Sequence, residues 1–238
     1  MALLGKQSVN NPIFCAIDTP SLTRAKNLAQ ELRGHVYGLK LGLEFFMANG
    51  AGGYQEMAAL GLPIFLDVKL HDIPNTVTGA LGSLLALKPA FMTIHTSGGP
   101  AMMRAASDAA KAAGKDRPKL LGVTVLTSLD AADLAALGQA ADISQQVLRL
   151  AVLAKQNSLD GVICSPAEVK TLRQTCGKDF ILMVPGIRPT WAAANDQKRV
   201  MTPKEAMAEG ATYLVIGRPI TEADNPAEVA ERIAAELI

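Results

Sequence analysis

The chain has 238 residues, 49% of them hydrophobic, which is enough for one sizeable core and awkward to divide into two ordinary domains. Its 23 Lys plus Arg against 22 Asp plus Glu leave a net charge of +1 with no block of like charges, so neither a nucleic acid nor a membrane is the expected partner, and a small molecule is. Cys15, Cys164 and Cys176 are odd in number and lack metal-site spacing, the start MALLGKQSVNNP lacks a signal-peptide pattern, and no apolar run reaches membrane-spanning length; the expectation is a reduced, cytoplasmic protein without a zinc site.

The first strand-like run is IFCAID (13–18), and SLTRAKNLAQEL after it carries apolar residues at helical spacing. VYGLKLG (36–42) and PIFLDVK (63–69) follow as strands two and three, then FMTIHTS (91–97) with the helix AMMRAASDAAKAA. KLLGVTVLTS (119–128) is the fifth strand and ISQQVLRLAVLAKQ the helix after it. DGVICS (160–165), FILMVPGI (180–187) and TYLVIGR (212–218) complete a set of eight, with PKEAMAEG before the last and PAEVAERIAAELI behind it. Strand-helix alternation demands a parallel sheet. Eight units in a chain of this size fit an α/β fold of the closed (β/α)₈, or TIM-barrel, type better than an open doubly wound sheet. No G-x-G-x-x-G follows the first strand, which argues against a dinucleotide fold. One barrel domain over residues 1–238 is therefore expected.

Chemistry in such barrels gathers at the C-terminal ends of the strands. The exits here offer Asp18, Lys40, Asp67 with Lys69, His95, Thr127 with Ser128, Ser165, Arg188 and Arg218. The stretch FLDVKLHDIPNT (65–76) is the most informative. Its apolar strand carries Asp67 and Lys69, which a buried strand excludes unless something other than packing requires them. Alternation sets both on one face, and Asp72 follows where the chain leaves for a helix opened by Pro74, so two carboxylates and an ammonium are expected in one patch. A plain ion-pair cluster is the alternative. His95 reads as a satisfied structural histidine more than as a catalytic one, His71 as a loop or packing residue, and Ser165 and Cys164 lack the surroundings of a nucleophile.

PGIRP (185–189) and IGRP (216–219), at the last two exits, each join Gly to Arg: backbone N–H groups that approach closely, and a guanidinium fork that matches phosphate oxygens. Barrels often bind phosphate after strands seven and eight. The segment from Arg188 to Val200, with WAAANDQ in it, is longer and more polar than the other connections and has the profile of a lid; Trp191 has no assigned partner.

From Asp18 through Lys40, FLDVKLHDIPNT, VTVLTS and PGIRP to IGRP, the chain resembles the orotidine 5′-phosphate decarboxylase family. That resemblance implies a cofactor-free, metal-free decarboxylation of orotidine 5′-monophosphate to uridine 5′-monophosphate, with Lys69 delivering a proton to the carbon that loses carbon dioxide. It implies an alternating network of Lys40, Asp67, Lys69 and Asp72, and a homodimer in which Asp72 and Thr76 serve the neighbouring subunit's site. Asp18 and Lys40 fall to the ribose, Thr127 and Ser128 to the base, and Arg188, Gln197, Gly217 and Arg218 to the phosphate and its lid. Two rivals use the same barrel. Magnesium-dependent phosphosugar decarboxylases and aldolases share an Asp-x-Lys-x-x-Asp strand but present an acidic ligand at the end of strand two, where this chain has Lys40. A non-catalytic phosphate binder needs no such density of charge around one spot.

Overall fold

The computed structural model describes residues 11–139, 141–191 and 201–237. Eight parallel strands close into a barrel in chain order: β1 (Ile13–Ile17), β2 (Gly38–Gly42), β3 (Ile64–Leu70), β4 (Phe91–His95), β5 (Lys119–Val123), β6 (Gly161–Ile163), β7 (Ile181–Val184) and β8 (Tyr213–Ile216), which pairs back onto β1. The helices are α1 (Leu22–Glu31), α2 (Leu43–Ala58), α3 (Pro74–Leu85), α4 (Gly99–Ala112), α5 (Ala131–Ala136), α6 (Ile143–Gln156), α7 (Val169–Cys176), α8 (Pro203–Ala208), α9 (Arg218–Thr221) and α10 (Pro226–Ala235). None among the described residues is long and apolar enough to cross a membrane.

Strand parity divides the apolar residues between two cores. Ile13, Cys15 and Ile17 face the helices, while Phe14 and Ala16 point into the barrel, where Phe65, Phe91, Leu121, Met183 and Val215 join them. Near the N-terminal ends of the strands the interior is plugged by aromatic rings: Phe14 lies 5.2 Å from Tyr37, 5.4 Å from Phe91 and 5.5 Å from Tyr213, tilted or edge-on as ring quadrupoles favour. Gly38 makes room for this plug, since a Cβ there would stand 2.6 Å from the Phe14 ring.

Several boundaries depart from the sequence reading. The fifth strand ends at Val123, short of the expected Ser128, because β6 offers only three residues to pair with; the Thr124 hydroxyl then donates to Ile163 O at 2.9 Å. Thr127 and Ser128 accordingly lie in a turn beyond the strand. β6 stops at Ile163 because Ser165 and Glu168 form a reciprocal capping box on a short 3₁₀ turn. β7 stops at Val184, leaving Arg188 four residues beyond it. Arg218 opens α9 instead of closing β8. The short helix α5, which the periodicity does not predict, is held by a capping box between Asp130 and Asp133.

Candidate active site

The inward parity that stacks rings below carries charge above. On β1 the succession Phe14, Ala16 continues to Asp18; on β3 Phe65 gives way to Asp67 and Lys69; on β2 Lys40 follows Gly38. These four charged side chains form one alternating row. Asp18 Oδ1 lies 3.1 Å from the Lys40 ammonium, Lys40 lies 3.8 Å from Asp67 Oδ2, and the same oxygen is 2.8 Å from Lys69 Nζ. Gly42 leaves space for the row, since a Cβ there would be 3.0 Å from Lys40 Nζ. Asp67 is the buried centre. Burial by itself pushes its carboxyl up, but Lys40 and Lys69, with hydrogen bonds from Lys69 and Thr93, outweigh it and hold the group below the ordinary carboxylate value.

The backbone under this row is irregular. Leu66 pairs with Met92 and Leu70 with Ile94, so β3 spends four residues where β4 spends two. Inside that bulge Lys69 has φ +48°, a left-handed conformation uncommon for a side-chain-bearing residue. Its N–H donates to Thr93 Oγ1 at 2.9 Å, and the Thr93 hydroxyl donates to Asp67 Oδ1, also at 2.9 Å. Thr93 was not among the sequence candidates. The signal was present, a hydroxyl in the apolar run FMTIH on the same parity as His95, but β-branched threonine is ordinary in strands.

A cavity of about 190 Å³ opens beside the row. Lys40, Phe65, Asp67 and Lys69 line it from β2 and β3, and Val123, Val125, Ile163, Pro185 and Val215 from β5 to β8 and their exits, with Leu126 and Thr127 at the fifth-strand loop. Charged side chains from two strands and apolar ones from the others suit a small molecule that is partly apolar and carries an anionic group. Thr127 lines this cavity, whereas Ser128 is exposed and outside the lining. Cys164 lines it too, but burial pushes its thiol far up, which makes it a packing residue and no nucleophile. His95 is pushed down by burial, by His71 and by Lys69, against Asp67, and its ring stacks on His71 at 5.1 Å.

Arg188 is buried, with its backbone N–H donating to Met201 O at 3.1 Å and Nη1 to Ile187 O at 2.9 Å. It and Arg218 leave from neighbouring strands, β7 and β8, at the same end of the barrel. The backbone at Gly217 runs beside β1, where a Cβ would meet Ala16 at 3.4 Å and Asp18 at 3.9 Å, so the IGRP turn adjoins the charged row. Gln197 and most of the expected lid lie outside the described residues. Trp191, at its near end, donates from Nε1 to Glu236 at 3.0 Å and stacks under the Arg232 guanidinium at 4.3 Å, which fastens that end to α10.

Asp72 does not join the patch expected for it. It sits on the exposed loop between β3 and α3, accepts the N–H of Ile73 at 2.7 Å, and makes no ion pair among the described residues. The bulge that aims Lys69 inward ends the alternation, and the chain then turns outward into α3. Thr76, in the first turn of that helix, is exposed as well. Among the described residues no group of three His, Cys, Asp or Glu side chains is disposed to hold a metal ion.

A sequence model described as the orotidine 5′-phosphate decarboxylase / HUMPS family matches residues 11–233. The chain is 54% identical over 231 residues to the orotidine 5′-phosphate decarboxylase of Paramagnetospirillum magneticum, covering 95% of this chain and 98% of that one. Its identity to the protein of the same name from Rhodospirillum rubrum is 52% over 237 residues, with 98% and 96% covered. Among solved structures, the orotidine 5′-phosphate decarboxylase of Lactobacillus acidophilus superposes with a TM-score of 0.84 at 38% identity, over 95% of this chain and 99% of that one.

Proposed function

The chain belongs to the orotidine 5′-phosphate decarboxylase / HUMPS family, and on that premise we propose that it converts orotidine 5′-monophosphate to uridine 5′-monophosphate with Lys69 as the proton donor. The observation that carries the reading is the alternating row Asp18, Lys40, Asp67, Lys69, three of whose members line a cavity with otherwise mostly apolar residues. When the bond from the ring to the carboxylate breaks, carbon dioxide leaves and the electron pair stays on a ring carbon that cannot delocalise it. A fixed ammonium beside that carbon stabilises the developing charge, then gives up a proton to form the new C–H bond, and the resulting amine regains its proton from water. Asp67, 2.8 Å away, aims the ammonium. Asp18 and Lys40 are assigned to the ribose, Thr127 and Ser128 to the base, and Arg188, Gly217 and Arg218 to the phosphate.

No metal enters this scheme. Lys40 places its ammonium 3.1 Å and 3.8 Å from the carboxylates a divalent ion would need, occupying their charge with a cation that supplies no ligand. The assay is carbon dioxide release from orotidine 5′-monophosphate after exhaustive chelation. Undiminished activity is expected; activity restored only by magnesium would overturn the reading in favour of a phosphosugar enzyme.

The proposed assembly is a homodimer in the cytoplasm. Three buried, unpaired cysteines fit a reducing compartment. Asp72 and Thr76 are exposed beside Ile73, itself 66% exposed, as expected of groups that a second copy covers and whose site they complete. Lys69→Ala and Asp72→Ala homodimers should then each be defective, since every site lacks one group. After joint dissociation and reassembly, half the dimers are mixed and each holds one intact site, so activity should return to roughly a quarter of wild type. No recovery, with heterodimers verified by mass spectrometry, would mean that Asp72 acts within its own subunit.

A further inference from the structure

We infer that Thr93 is a positioning residue for the reaction, its one hydroxyl fixing both the backbone of Lys69 and the carboxylate that aims the Lys69 ammonium. The inference rests on the reading of Lys69 as proton donor, and its geometry stands independently of that reading. The bulge between Leu66 and Leu70 gives β3 two more residues than β4 has to pair with, and the Lys69 N–H goes to a side chain instead of a strand carbonyl. A buried N–H without an acceptor is costly, and a lysine at φ +48° persists only where its surroundings fix it. Thr93, fully buried, meets both requirements from the neighbouring strand.

The bonds close a ring. The Lys69 N–H donates to Thr93 Oγ1, the Thr93 hydroxyl donates to Asp67 Oδ1, and the Lys69 ammonium donates to Asp67 Oδ2 at 2.8 Å. Lys69 is thereby gripped at its backbone and at its charged tip by two groups that also grip each other. One hydroxyl has one proton to give, and here it goes to Asp67, which leaves the oxygen lone pairs for the amide. Removing the hydroxyl frees the Lys69 amide and one oxygen of Asp67, leaving the Lys69–Asp67 bond as the single remaining tie, while every charge in the row remains. Substrate binding, which depends on those charges and on the phosphate end, should survive. The rate, which depends on where the ammonium sits, should not, since a misplacement of about 1 Å can cost on the order of 100-fold.

Thr93→Val keeps the side-chain shape and deletes both bonds; Thr93→Ser keeps the hydroxyl. With orotidine 5′-monophosphate, kcat of Thr93→Val should fall by about 10- to 100-fold with KM within about threefold of wild type, and Thr93→Ser should recover kcat to within about threefold. Hydrogen exchange at the Lys69 amide should accelerate by about tenfold or more in Thr93→Val relative to neighbouring strand amides, and return in Thr93→Ser. If Thr93→Val does not fold, Thr93→Ala deletes the same bonds without burying a new methyl group and takes its place. A kcat within about twofold of wild type without the hydroxyl, or equal losses in the serine and valine variants, would overturn the assignment. Should the wild-type protein itself fail to release carbon dioxide from this nucleotide, the functional reading falls alone. The amide exchange still decides whether Thr93 holds Lys69.

Discussion

The two ends of the barrel interior stand on the same strands and bury opposite things. At the N-terminal end Phe14, Tyr37, Phe65, Phe91 and Tyr213 pack ring against ring. Two residues further along the same inward parity, Asp67 replaces Phe65, Thr93 replaces Phe91, and the next step brings Lys69 and His95. The lower end gains from leaving water, since each buried aromatic ring contributes on the order of 2 to 3 kcal/mol by burial. The upper end pays a desolvation cost and offsets it by alternating its signs and by the hydrogen bond that Thr93 donates to Asp67. The uncommon φ of +48° at Lys69 likewise belongs to the upper end, on strands already closed into the barrel.

This division of labour predicts that variants at the two ends separate in what they damage. The largest effect belongs to the upper end. Lys69→Ala should lower kcat by about 10⁴-fold or more while the melting temperature stays within about 4 °C of wild type, because the lost group is the proposed proton donor and carries little of the packing. Turnover close to wild type would assign the proton to another group and dissolve the division.

Phe14→Ala, at the centre of the ring cluster and outside the cavity lining, is the converse. It should cost roughly 3 to 5 kcal/mol of stability by opening a cavity in the plug, seen as a lower midpoint in urea, with kcat per folded molecule within about threefold of wild type. A larger fall in kcat would show that the plug sets the geometry of the row.

The smallest effect is the pH dependence of the row itself. The Asp67 carboxyl lies below its unfolded value of 3.8, so it contributes stability that is fully present above that pH and is lost as the pH falls through the depressed folded value. Acid unfolding of the wild type should therefore steepen below about pH 4, and Asp67→Asn should flatten that limb, measured as unfolding free energy against pH. Identical limbs would mean that Lys40 and Lys69 do not stabilise the ionised carboxylate as the geometry implies.

Much of this was legible along the chain. Eight apolar runs separated by helical spacing specify strand-helix alternation, and a period of two tells which strand residues share the barrel interior, so Asp67 and Lys69 could be assigned to one face and Asp18 and Lys40 to the same end. Asp72 is placed in their patch by nearness in sequence alone, and within one chain that step fails because β3 ends at Leu70 and Asp72 lies on the exposed loop beyond it. Strand ends were overrun at β5, β6 and β7 for a similar reason. VTVLTS keeps strand propensity past the three residues that β6 offers it for pairing, and VICS is turned off the sheet by the Ser165–Glu168 capping box.

By itself the sequence determined which residue types alternate, where the chain can turn, and that acids and bases cluster at strand exits, since these follow from local conformational preference and the period of each element. Only the tertiary structure decided that Lys40 and Lys69 share one oxygen of Asp67, that Asp72 is exposed and makes no ion pair with them, and that Thr93, 24 residues from Lys69, accepts its amide N–H. The physical reason is closure. Bringing β3 against β2 and β4 with a two-residue excess fixes distances between residues that no local rule relates, and a buried N–H must then take whichever acceptor that arrangement supplies.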